Sequence, residues 1–338
     1  MRKIKLLIVD DSIVFREALS KALSKDLMIE VVATAVDPFD ARDKILQYHP
    51  DVMTLDVEMP KMNGIDFLRK LIPQYPIPTI VISSINDCVF EAIQLGAVDF
   101  IKKPDGKTFL SNKEFFNDLI IKIKIAVNAK IQQGTLHKKI LIDSSMPSHQ
   151  VQNKIIAIGA STGGTVALTD VITELKGNIP GIVIVQHIPP VFSDMFAKRL
   201  DSICELEVKE AKNGDKVFPG RVLIAPGNMQ MRVKKRGVEI CVECFEGGKV
   251  NGHCPSVDVL FNSVAEIYGN KAIGVIMTGM GYDGAKGLLN MRKAGARTIG
   301  QDEGSSVVYG MPRVAYNIGA VEKQVPLDQI AEQICSFI

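Results

Sequence analysis

Apolar residues in the first third of the chain fall in short unbroken runs: Leu6–Val9, Val31–Ala33, Val52–Leu55, Thr79–Ile82 and Val98–Ile101. Between them lie stretches of helical spacing, such as Phe15, Ala18, Leu19 and Ala22. Strand runs without polar alternation belong to a sheet covered on both faces, so the alternation predicts parallel βα units. A near-continuous helical pattern from Asn112 then gives way to Gln132-Gln133-Gly134-Thr135 and to Asp143-Ser144-Ser145-Met146-Pro147-Ser148-His149-Gln150, polar and without apolar period. Near Asn153 a second α/β pattern starts, with strand runs Ile155–Ile158, Ile182–Val185, Val222–Ala225 and Ala272–Met277. A hairpin is expected over Met231–Val242, turning at Lys235-Arg236-Gly237. The chain thus reads as a (βα)5 domain over 1–124, a linker over 125–152, and a doubly wound, mainly parallel α/β domain with a β-hairpin over 153–338. No internal repeat is present.

Length and composition agree with this division. At 338 residues the chain exceeds one typical core. Forty basic and thirty-eight acidic residues leave +2, so no global field favours nucleic acid or an anionic membrane. No apolar run approaches the roughly 20 residues of a membrane span, so no membrane insertion is expected. Met1–Asp11 opens as a secretory leader would, but its apolar run is short and ends in Asp10-Asp11 without a small-residue cleavage site. The six cysteines (88, 204, 241, 244, 254 and 335) show no paired framework. A reducing, cytoplasmic setting with free thiols is the expectation.

The strand ends carry the chemistry. In an open parallel sheet ligands sit beyond the C-terminal ends of the strands. Asp10 and Asp11 fall there after the first strand, Asp56 after the third, Ser83 after the fourth and Lys103 just past the fifth. Three converging carboxylates repel one another unless a divalent cation neutralises them, and hard oxygen ligands suit magnesium. Lys103 adds a donor for phosphoryl oxygens and Ser83 a hydroxyl, so the set reads as a phosphoryl-accepting carboxylate with a metal clamp. The plainer reading is helix capping, which Asp11 could do alone. It leaves Lys103-Pro104 and the run from Asp56 to Gly64 without a role.

In the second half, Gly159 to Gly163 reads G-x-S-x-G between a strand and a helix, the spacing that exposes a nucleophilic Ser161. Its base must be a histidine, and only His187 and His253 lie in this half; His137 and His149 sit in the linker and His49 in the first domain. His187 ends an apolar strand and would share the rim of Ser161. His253 lies just before Ser256 and Asp258, which are expected as caps of a helix, and that trio is set aside because residues on one turn point in different directions. The third member is expected at another strand end. Asp283, held among glycines after Ala272–Met277, could orient an imidazole.

The same turn offers a rival. Gly279, Gly281 and Gly284 match G-x-G-x-x-G after a strand, with Asp302 and Glu303 about 20 residues on, as in a dinucleotide site. A nucleotide-binding protein without hydrolase activity is the alternative on pattern, although the motif comes late in its domain and leaves Ser161 unexplained. Cys241-x-x-Cys244 with His253 and Cys254 suggests zinc, but strand alternation sends Cys241 and Cys244 to opposite faces.

Resemblance separates these readings. The first half resembles the flavodoxin-like receiver domain of two-component signalling, through IVDDS, LDVEMPKMNG, VISS and FIKKP. Residues 153–338 resemble the catalytic domain of the chemotaxis-specific protein-glutamate methylesterases, the CheB family, through IGASTGG, VIVQHIPP, NGHCPSVDVLF, TGMGYDGAKGL and IGQDEGSSVVYGMP. The resemblance implies Asp56 as the phosphorylated residue, Asp10 and Asp11 as its partners in holding Mg2+, Lys103 pairing with the phosphoryl group, and Ser83 and Phe100 as switch residues. It implies Ser161 as nucleophile, His187 as base and acid, Asp283 as orienting carboxylate and the Met280 backbone amide as oxyanion donor, with no cofactor for the ester step. The implied substrates are methyl-accepting chemoreceptors, demethylated with release of methanol and deamidated at glutamine, and the phosphodonor a chemotaxis histidine kinase. A monomer is expected, in which the unphosphorylated receiver inhibits the esterase. Two positions depart from the family pattern, Cys254 where arginine is usual and Gln230 where histidine is usual.

Overall fold

The computed structural model describes residues 2–84, 87–104, 112–130 and 151–338, and the chain divides into two compact units, 1–136 and 137–338. Most of the expected linker, 131–150, lies outside the described residues.

The first unit runs β1 (Ile4–Val9), α1 (Ile13–Leu23), β2 (Ile29–Ala35), α2 (Pro38–Tyr48), β3 (Val52–Asp56), α3 (Gly64–Leu71), β4 (Thr79–Ser83), α4 (Asp87–Gln94), β5 (Asp99–Lys102) and α5 (Lys113–Ala126). All five strands are parallel, in the order β2-β1-β3-β4-β5. Leu6, Leu7, Ile8 and Val9 are all buried although successive side chains point to opposite faces, so helices cover both sides as the unbroken runs predicted. The succession of strands reverses between β1 and β3, and the crevice of such a sheet opens at that point.

The second unit continues β6 (Ile155–Ala160), α6 (Gly164–Glu174), β7 (Gly181–Gln186), α7 (Phe192–Ile203), β8 (Glu207–Glu210) and β9 (Arg221–Ile224). The hairpin β10 (Gln230–Arg236) and β11 (Glu239–Phe245) follows, then α8 (Val257–Tyr268), β12 (Ala272–Ile276), α9 (Ala285–Lys293), β13 (Arg297–Gln301), α10 (Met311–Asn317), β14 (Lys323–Val325) and α11 (Ile330–Phe337). Seven parallel strands lie in the order β14-β13-β12-β6-β7-β9-β8. The edge strands β8 and β14, read as Glu-Val-Lys-Glu and Lys-Gln-Val, were not expected from the pattern. They are short and polar, as sheet edges that resist further pairing tend to be.

The hairpin forms as expected, antiparallel from Gln230↔Phe245 to Arg236↔Glu239. Met231, Val233, Val242 and Cys244 on one of its faces join the core with Val257, Leu260 and Phe261 of α8. The strand β6 lies between β7 and β12, where the chain switches from building one side of the sheet to building the other. Its C-terminal end is the crevice of this unit.

Candidate active site

Ser161 follows β6 directly, and its backbone is fixed from several sides. Its N–H donates to the Thr278 carbonyl at 3.0 Å, and its carbonyl accepts from Gly164 N–H at 2.7 Å and Gln186 Nε2 at 2.9 Å. The turn into α6 needs Gly163 at φ +77°, a conformation a side chain would strain. Since β6 and β7 pair in register at Ala160↔Gln186, the next residues, Ser161 and His187, are neighbours on one rim. His187 N–H donates to the Ala160 carbonyl at 3.2 Å.

Asp283, on the turn between β12 and α9, completes the group. Its Oδ2 lies 2.9 Å from His187 Nε2 and accepts the Val257 N–H at 2.7 Å. Its Oδ1 accepts Ser256 Oγ at 2.7 Å, Asn251 Nδ2 at 2.8 Å and Asp258 N–H at 3.3 Å. Burial alone would raise its pKa, but the hydrogen bonds from His187, Asn251 and Ser256 outweigh it and hold the carboxyl well below the usual range. Asp283 is therefore an ionised acceptor. Nε2 of His187 must then carry the ring proton, which leaves Nδ1 as the basic lone pair. Nδ1 is buried and has no hydrogen-bond partner among the described residues. The structure thus joins His187 to Asp283 but leaves the expected Ser161–His187 bond open.

One expectation is corrected here. Ser256 occupies the N-cap position of α8 without a capping side-chain bond; its hydroxyl goes to Asp283, whose carboxylate itself caps the helix by taking the Val257 and Asp258 amides. His253, set aside above, stacks face to face on His187, with centroids 3.8 Å apart and planes within 5°. Asn251 was not foreseen at all; it bridges Asp283 to Asp258, at 2.8 and 2.7 Å. A polar loop next to the only other histidine of the domain was the available signal.

Two of the three glycines of the rival motif, Gly279 and Gly284, face protein, while the space beside Gly281 is open. A Cβ at Gly279 would lie 2.5 Å from Met311 Sδ and 2.6 Å from Ser161 Cβ, and one at Gly284 would lie 2.5 Å from a Val257 methyl. This turn packs against the serine and α8, with Asp283 turned to His187. Met280, half exposed in it, makes no main-chain hydrogen bond through its N–H among the described residues. Cys241 and Cys244 pair with Lys234 and Met231 and face opposite sides of the hairpin.

In the first unit the strand ends also converge. Carboxylate oxygens of Asp10, Asp11 and Asp56 lie within 4.8 Å of one another; Asp10 and Asp56 are buried and Asp11 is exposed. The cap of α1 is Ser12, whose hydroxyl accepts the Phe15 N–H, so Asp11 is not spent on capping. Lys103 Nζ donates to Asp10 at 2.7 Å and to Asp56, and stands 4.5 Å over the Phe15 ring. Burial pushes Asp56 up to about 6 despite Lys103. Burial opposes the charge of Lys103 too, but its two carboxylate partners raise its pKa. Three acids against one lysine is a donor set that fits a hard divalent cation. Ser83, fully buried, ends β4, and Phe100 is buried in β5 with its ring 6.4 Å from that of Phe90.

Comparison with known proteins places both units. Residues 156–334 match the CheB methylesterase family model and residues 6–113 the response regulator receiver domain. A protein-glutamate methylesterase/protein-glutamine glutaminase of Syntrophomonas wolfei is 56% identical over 338 residues, covering 100% of this chain and 98% of that protein. One of Sulfurimonas denitrificans is 49% identical over 348 residues, covering 99% and 98%. The crystal structure of the Thermotoga maritima CheB methylesterase catalytic domain covers 56% of this chain and 100% of that one, at 40% identity and a TM-score of 0.54. With a receiver domain ahead of a methylesterase domain, this chain belongs to the CheB methylesterase family.

Proposed function

We propose that the chain is a phosphorylation-activated protein-glutamate methylesterase that acts on methylated chemoreceptors, and a protein-glutamine glutaminase by the same chemistry. Ser161 Oγ attacks the ester carbonyl while His187 Nδ1 takes the hydroxyl proton. Asp283, ionised, keeps Nε2–H in place and offsets the charge of the imidazolium. The oxyanion forms against the Met280 N–H. Collapse breaks the ester bond, and His187 returns its proton to the departing methanol. Water, deprotonated by His187, then opens the acyl-serine to release the glutamate carboxylate. A glutamine follows the same course with ammonia leaving.

The Asp283–His187 bond carries this reading, since it leaves Nδ1 buried and without a hydrogen-bond partner among the described residues, just past the strand that pairs with that of Ser161. Apo catalytic hydrogen bonds are often open until substrate binds.

For the receiver, Asp56 is the phosphoryl acceptor, and Asp10, Asp11 and Asp56 would hold magnesium. When bound, that ion neutralises the carboxylates and the incoming phosphoryl oxygens. Lys103 pairs with the phosphoryl group, while Ser83 and Phe100 respond to it. A chemotaxis histidine kinase is the phosphodonor, and the protein works as a cytoplasmic monomer. Domain limits of 1–124 and 153–338 suit this division of labour.

The test is to trap the intermediate. Acid quenching of the enzyme with a receptor peptide carrying a glutamate γ-methyl ester should leave the acyl group on Ser161 by peptide mapping. An adduct that survives in Ser161→Ala would overturn the mechanism.

A further inference from the structure

Among the described residues, every hydrogen bond that the Asp283 carboxylate receives, apart from that of His187, comes from one short stretch. Asn251, Ser256, Val257 and Asp258 supply them, and His253 of the same stretch stacks on His187. A second side chain outside this stretch also holds it. Gln230, the first residue of β10, is 1% exposed. Its Oε1 accepts the Ser256 N–H at 2.9 Å, and its Nε2 donates to the Gly248 carbonyl at 3.0 Å and, at a longer 3.5 Å, to the His253 carbonyl. The carboxamide therefore ties the start, middle and end of residues 248–256 to the hairpin. Its seat is close-fitting, for a Cβ on Gly247 would lie 2.9 Å from Gln230 Cγ.

We infer that Gln230 is a positioning residue of the esterase: it sets the loop that aims the Asp283 carboxylate and stacks the His187 ring. A carboxamide suits this place because one planar group is both acceptor and double donor. A carboxylate of the same shape has no proton for the two carbonyls and would add charge near Asp258 and Asp283. A thioether of similar length leaves the Ser256 N–H and Gly248 carbonyl without their partner, and such groups move to find another. Small errors in placing a catalytic group cost rate more than binding.

This inference rests on the esterase reading, so its test has one arm that does not depend on turnover. The full-length enzyme and its Gln230→Met and Gln230→Glu variants are assayed for methanol release from a receptor peptide bearing glutamate γ-methyl ester. In both variants kcat should fall roughly 10- to 100-fold with KM changed less than about threefold. The low-field proton resonance of His187 Nε2–H, identified by its loss in His187→Ala, should shift or broaden in both. Wild-type kcat with an unmoved resonance in a folded variant would overturn the inference. If Gln230→Met does not fold, Gln230→Glu decides. A wild-type enzyme that shows the resonance but releases no methanol would sink the esterase reading instead.

Discussion

At Asp283 one carboxylate does two jobs, capping α8 and orienting His187, and the stability of the domain is tied to the readiness of the site. Its pKa is depressed in the folded chain, so it contributes stability above the unfolded value of about 3.9, lost as pH falls through the folded value. Asp283→Asn turns amide protons toward groups that themselves donate, and each orphaned buried donor costs about 1–3 kcal/mol. Urea unfolding of residues 151–338 should show that loss at pH 7 and a much smaller one near pH 2; equal losses at both would mean the carboxylate is not ionised in the fold. Ser161→Ala and His187→Ala should each cut methanol release by roughly 10^4-fold or more, and the double variant should be little worse than either, because the groups act as one unit. Ser161, His187 and Asp283 were legible as candidates because parallel strands put their end residues on one rim. Asn251 was not, nor were the contacts of His253 and Ser256, since an irregular loop has no period and only tertiary contact shows where its side chains point.

Among the elements, α8 matters most to the site. Val257, its first residue, fills the spaces that Gly159 on β6 and Gly284 before α9 leave open. Val257 and Asp258 present their amides to Asp283, so the helix start, the nucleophile strand and the acid turn are packed as one block. A Cβ at Gly159 would lie 2.2 Å from a Val257 methyl. Gly159→Ala should therefore destabilise the unit by about 1–3 kcal/mol, as overpacked cores do, and lower kcat by moving Val257 away from Asp283. A variant with unchanged urea midpoint and kcat would show that the block yields freely. The central strands were legible because burial on both faces leaves mostly apolar residues in them. The edge strands β8 and β14 were not, since their polar sequences differ little from loops.

On the scale of the whole molecule, a receiver is useful to an esterase only if its two states act differently on it. Phosphorylation of Asp56 by a small phosphodonor should require magnesium, and Asp56→Asn should abolish the mass adduct while Asp11→Asn raises the magnesium concentration it needs. The expected direction of control is inhibition by the unphosphorylated receiver. Residues 151–338 alone should then hydrolyse faster than the full chain and ignore phosphodonor; an isolated catalytic unit no faster would point to activation instead. The hydrolytic outcomes presuppose that Ser161 hydrolyses glutamate methyl esters, and one comparison tests that most directly. Methanol is measured from a methylated chemoreceptor mixed with phosphorylated full-length enzyme or with its Ser161→Ala variant. The account predicts steady release with the first and release near background with the second. Equal release from both would contradict it.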